Sequence, residues 1–85
     1  MGKKNSLRLS VLSERETLFY GDCSAVSVPT QSDIITILPF HTPLIAKLVK
    51  GEIIVYSGSK KQKIADIKNG LIYVGDNTSV ILVNF

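Results

Sequence analysis

Apolar and polar residues alternate over short stretches along most of the chain. Leu7, Leu9 and Val11 are spaced by Arg8 and Ser10, and Val26 and Val28 by Ser27. A period of two puts alternate side chains on opposite faces, so each stretch predicts a strand with one buried face. Turn-forming residues interrupt the pattern at Ser13–Glu16, Gly21-Asp22, Pro29–Asp33, Lys50-Gly51, "SGSKKQ" (57–62), Asn69-Gly70 and Gly75–Asn77. Asn69-Gly70 is the best candidate for a type I′ hairpin turn. Ile34 to Leu38 reads as a strand until Pro39 removes a ladder donor. No segment carries a sustained helical period. About nine or ten short strands are expected, hence an all-β fold: an about ten-stranded β-sandwich or flattened barrel.

Two late strands break the alternation. "LIYV" (71–74) and "VILV" (80–83) are apolar on both faces, whereas a two-layer sandwich buries only one. Either these strands are central, or their outer face is an apolar docking patch.

Composition narrows the class. Eighty-five residues with 45% apolar content make one domain, assigned to 7–85 behind a flexible segment 1–6. No run approaches the roughly 20 apolar residues of a transmembrane helix, and no signal peptide is visible. "MGKKNS" meets the short N-myristoylation pattern through Gly2 and Ser6. The single Cys23 cannot form an internal disulfide, which suits a reducing compartment. A net charge of +3 is mild and reads mainly as a solvated surface.

Candidate chemistry is sparse. "ILPFHTPLI" (37–45) holds the only histidine, His41, in a corner stiffened by two prolines. No serine lies in a G-x-S-x-G elbow, so acyl transfer has no nucleophile to set against His41. A minimal hydrolase using Cys23 or His41 is a remote reading, and the carboxylates form no close pair. One histidine and one cysteine fall short of a zinc site, and the isolated glycines make no phosphate loop. No catalytic, metal or cofactor site is therefore expected. Lys60, Lys61 and Lys63 with Tyr56 allow an alternative, a small barrel binding single-stranded nucleic acid through a basic loop, although +3 is weak for one.

Taken in order, "LRLSVLSERETLFYGDCSAVSVP", "ILPFHTPLI" and "NGLIYVGDNTSVILV" resemble the amino-terminal β-sandwich of the epsilon subunit of F-type ATP synthases. The resemblance spans residues 7 to 83, and its I-L-P-x-H-x-P-L core is its most specific part. It implies a non-catalytic central-stalk subunit with no cofactor and no small-molecule substrate. Such a subunit docks on the gamma subunit and on the membrane-embedded c-ring, rotates with both, and couples proton flow to ATP synthesis. The implied gamma-facing residues are Ser13, His41, Thr42, Pro43, Ala46 and Lys68. The implied ring-facing ones are Thr30, Gln31, Ser32, Asp33 and Ile34. The implied location is peripheral, on the cytoplasmic face of a bacterial inner membrane or its organellar equivalent, without nucleic acid.

The chain departs from the family pattern at several points. Asp33 and Thr36 stand where glycines precede I-L-P, and Ile34 takes an acidic position between them. Phe40 replaces the glycine after the proline, and Asn69 the first of a glycine pair. Losing two glycines should force the ring-facing loop onto a less permissive backbone path. Many members continue past the last strand into a helical hairpin that can inhibit ATP hydrolysis. A chain ending at Phe85, naturally short or trimmed, is expected to lack that inhibition.

Overall fold

The computed structural model describes residues 5–84, and these contain nine strands and no helix. Gly2 of the myristoylation pattern, with most of the segment expected to be flexible, lies outside the described residues. The strands are β1 (Leu7–Ser13), β2 (Thr17–Cys23), β3 (Ala25–Pro29), β4 (Ile34–Ile37) and β5 (Leu44–Leu48), followed by β6 (Gly51–Ser57), β7 (Lys60–Ile67), β8 (Gly70–Gly75) and β9 (Thr78–Val83). They form a five-stranded sheet in the order β2-β1-β9-β8-β5 and a four-stranded sheet in the order β4-β3-β6-β7. The expected all-β sandwich is therefore present, with nine strands among the described residues.

Alternation decides what is buried. Leu7, Leu9 and Val11 of β1, Ile72 and Val74 of β8, and Ile81 and Val83 of β9 point inward from the larger sheet. Val26, Val28, Ile37, Ile53, Val55 and Ile67 meet them from the smaller one. Each such side chain contributes about 1.5–3 kcal/mol relative to exposure. The first and last strands, β1 and β9, pair in parallel at the middle of the larger sheet, so the two ends of the chain lock the fold together.

Two turns differ from expectation. Asn69-Gly70 joins β7 to β8, which lie in different sheets, so it is a crossover and not a hairpin. Glycine is needed there for another reason: a Cβ on Gly70 would sit 2.6 Å from the Leu82 carbonyl oxygen. The two-residue turn with consecutive positive φ is Asp76-Asn77 (56° and 55°), between β8 and β9. Aspartate and asparagine tolerate that conformation because their short side chains bond locally. In addition, "SGSKKQ" is mostly strand. Only Gly58-Ser59 turns, with Gly58 at φ 64°, and β7 begins at Lys60.

Candidate functional site

The Leu38–Pro43 corner grows from the local sequence. β4 ends at Ile37, and the His41 N–H donates to the Leu38 carbonyl oxygen at 3.2 Å, closing a four-residue turn. Pro39 is its second residue and Phe40, at φ 62°, its third. That is a type II turn, in which proline presets the second position and the third requires a positive φ. The glycine of the family pattern thereby acquires a cause, and Phe40 occupies its left-handed conformation.

The turn is clamped from outside. The Phe40 N–H donates to Asn77 Oδ1 at 2.7 Å, and Asn77 Nδ2 donates to the Ser6 carbonyl at 2.9 Å. The Asn77 carbonyl in turn accepts from the Arg8 N–H at 3.2 Å. One asparagine so ties the corner, the β8–β9 turn and the start of β1 together. His41 is half-buried, and its Nδ1 lies 2.7 Å from the Thr42 carbonyl. A carbonyl only accepts, so Nδ1 carries the proton in this contact. Thr42 and Pro43 are exposed.

The other gamma-facing candidates lie elsewhere. Ser13 pairs with Val83 at the far end of β9 from the Asp76-Asn77 turn, a strand about 17 Å long at ordinary rise. Its hydroxyl bonds the Glu16 N–H and carbonyl, both at 3.2 Å, and so braces the β1–β2 turn. Lys68 is at this same end, its N–H donating to Asn84 Oδ1 at 2.8 Å. Ala46 packs against the core, while its neighbour Ile45 is 73% exposed. The structure thus groups His41, Thr42 and Pro43 and separates them from Ser13 and Lys68.

Between the two ends runs an uncovered apolar face. Ile45 stands opposite Tyr73, Tyr73 opposite Val80, and Leu71 opposite Leu82 across β5, β8 and β9. Tyr73 is 53% exposed, and Leu71 and Leu82 are exposed as well. β8 and β9 are indeed central in strand order, yet their outward face is open.

Thr30–Ile34 forms a tight, self-bonded loop at the Ser13 and Lys68 end. Thr30 donates from its N–H (2.8 Å) and its Oγ1 (2.6 Å) to the Asp33 carbonyl, and Asp33 Oδ1 accepts the Ile34 N–H at 2.7 Å. Neither Asp33 nor Thr36 needs a positive φ, so the missing glycines are absorbed without strain. Thr30 is half-buried, and Gln31, Ser32, Asp33 and Ile34 are exposed. They border an open groove of about 530 Å³ on the smaller sheet, with Ser27, Pro29 and Ile54 among its lining residues.

Rival chemistry finds little footing. Cys23 is buried in the core, and desolvation pushes its thiol above its ordinary range, away from a nucleophilic thiolate. Among the described residues no group of three or more His, Cys, Asp or Glu side chains is placed to hold a metal. The basic "loop" is a strand edge. Lys63 on it is committed to Asp66 (3.0 Å) and Glu52 (3.7 Å), and the half-buried Tyr56 has its hydroxyl 3.3 Å from Ser27 Oγ. The nucleic-acid alternative therefore has no support.

Sequence reasoning reached Tyr73 through "LIYV" but passed over Phe40's backbone, Asn77 and Ile45 as site residues. Leu-Pro-Phe-His is itself a turn signal that reveals Phe40. Asn77 acts through contacts distant in sequence, and no local signal marks it.

Comparison with known proteins agrees with this architecture. Residues 6–85 match the family described as ATP synthase, Delta/Epsilon chain, beta-sandwich domain. The ATP synthase epsilon chain of Leptospira interrogans is 32% identical over 80 residues, covering 94% of this chain and 62% of that protein. That of Endomicrobium trichonymphae is 35% identical over 81 residues, covering 95% and 58%. This chain thus spans about three fifths of the length of these relatives. In fold, a chain of the Euglena gracilis mitochondrial ATP synthase (OSCP/F1/c-ring) superposes with a TM-score of 0.84 at 22% identity, covering 93% of this chain and 51% of that one. One from the Tetrahymena thermophila mitochondrial ATP synthase central stalk and c-ring gives 0.73 at 14%, covering 92% and 63%. A family match that takes in nearly every residue means that the chain belongs to the family of ATP synthase delta/epsilon chain β-sandwich domains.

Proposed function

We propose that this domain is a non-catalytic rotor component of an F-type ATP synthase. It docks the gamma subunit onto the c-ring and so couples proton translocation to ATP synthesis. The observation that carries the reading is the uncovered apolar face of β5, β8 and β9 beside the clamped His41 corner, in a chain of this family. A soluble domain leaves such a face open when a partner covers it. In this reading gamma lies against that face with His41, Thr42 and Pro43 at its edge. Ser13, Ala46 and Lys68 have weaker claims, since each already serves a local turn, the core or a crossover.

The self-bonded loop Thr30, Gln31, Ser32, Asp33 and Ile34 is assigned to the c-ring, as relatives of similar fold occur in central-stalk and c-ring assemblies. A rigid loop and a rigid corner on one packed sandwich suit torque transfer, because little of the applied rotation is lost in deformation. The location that goes with this is peripheral to a membrane through the complex, on the cytoplasmic face of a bacterial inner membrane or its organellar counterpart.

The test is co-purification with the cognate gamma subunit and a titration at micromolar concentration. Binding is expected, and His41→Ala should weaken it about tenfold while moving Tm by less than about 3 °C. Absence of binding by the folded wild-type domain, with and without the ring, overturns the reading. An unchanged affinity for His41→Ala removes the histidine from the contact.

A further inference from the structure

Phe40 combines two properties that rarely coincide. Its φ of 62° lies in the left-handed region, which bulky side chains avoid. The residue is 66% exposed, so packing within the domain does not account for the aromatic ring. Glycine or asparagine would fill the third position of the type II turn without strain. The strained conformation is held by its surroundings: Pro39 on one side, the His41 N–H to the Leu38 carbonyl on the other, and Asn77 Oδ1 on the Phe40 N–H. Backbone strain that the surrounding structure enforces, for a side chain that the fold itself does not use, is a mark of function.

We propose that Phe40 is the specificity-determining anchor of the gamma contact, a rigid aromatic knob that enters an apolar recess on that partner. This rests on the rotor reading above. Three observations single it out. It lies directly beside His41, Thr42 and Pro43, so it is continuous with the surface assigned to gamma. Its backbone is fixed before binding, so docking loses little conformational freedom beyond the ring's own rotation. Exposed aromatics of this kind are also the residues in which interface energy concentrates. Leu38, 56% exposed at the first position of the same turn, widens the apolar tip. Because glycine offers no side chain for a recess to hold, Phe40 would also make the pairing selective: this chain prefers a gamma subunit that carries the matching recess.

The experiment titrates the whole chain and its variants against the cognate gamma subunit, with Tm measured on each. Phe40→Gly and Phe40→Asn both suit a positive φ, so they should keep or raise Tm while weakening binding about tenfold or more. Phe40→Tyr should retain affinity within about threefold. Wild-type affinity in both Phe40→Gly and Phe40→Asn overturns the anchor and leaves the rotor reading intact. A large fall in Tm for both overturns it too, since the ring would then be a structural strut. If the wild-type chain itself fails to bind gamma, it is the rotor reading that falls first.

Discussion

Ser79 lies in the parallel seam of the larger sheet with 1% of its surface exposed, level with Leu9 and opposite Val74. Its hydroxyl has no hydrogen-bond partner among the described residues. Ser27, also buried, shows the usual arrangement, its Oγ lying 3.1 Å from Thr36 Oγ1 and 3.3 Å from Tyr56 Oη. An unsatisfied buried hydroxyl costs about 1–3 kcal/mol, and deleting it leaves only a small void. Ser79→Ala should therefore stabilise the domain by about 1 kcal/mol, raising Tm by about 4–8 °C. A fall in Tm on thermal unfolding would show that the hydroxyl is satisfied in solution. Ser79's inward orientation is legible in the sequence, because it shares the period of Ile81 and Val83. Its missing partner is not, because that depends on which side chains the opposite sheet brings near. The same divide applies to the corner. Pro39 announces a turn by its own chemistry, but Asn77, which holds that turn, is brought to it only by the fold.

At the scale of elements, three of the four sheet edges show how pairing with other chains is discouraged. β7 carries Lys60, Lys61 and Lys63, β5 carries Lys47, and β4 is only four residues long and stops before Pro39. Lysines and short strands discourage pairing with other chains, which explains the basic run without nucleic acid. Most strand positions were readable from alternation, the polar start of β7 at Lys60 excepted; sheet membership was not. Asn69-Gly70 shows why: its dipeptide chemistry favours a hairpin, yet β7 and β8 pair with β6 and with β5 and β9 instead. The tertiary requirement at Gly70 is closeness to the neighbouring strand, not a positive φ. Gly70→Ala would place its Cβ 2.6 Å from the Leu82 carbonyl oxygen, which is held in the larger sheet. Overpacking against backbone should cost about 2 kcal/mol and lower Tm by about 10 °C. An unchanged melting curve would mean that β8 and β9 have room to separate there.

For the molecule as a whole, the division of labour between its two faces is the central feature. The inward faces of both sheets supply stability. The outward face of β5, β8 and β9 contributes little to it, since Ile45 and Tyr73 make their largest surfaces available to solvent. Substitutions on such a surface usually change stability by about 0.5 kcal/mol or less. The combined Ile45→Asp and Tyr73→Asp variant sets two carboxylates directly opposite each other across β5 and β8, so it should still fold but with Tm lowered by about 4–8 °C. Two carboxylates would nonetheless have to be desolvated in any apolar interface formed there, and binding to gamma should fall at least about a hundredfold. Lys61→Glu, on the edge of the other sheet, alters charge without touching that face and should bind normally. The double variant should also be more soluble, because the exposed patch is the part of the isolated domain most prone to association. Equal affinities for the wild type, the double variant and Lys61→Glu would mean that gamma uses another surface, despite the apolar strands. A loss in the double variant alone, with its cooperative unfolding retained, would separate docking from folding: one set of alternating positions builds the sandwich, and the complementary set of the same strands meets the partner.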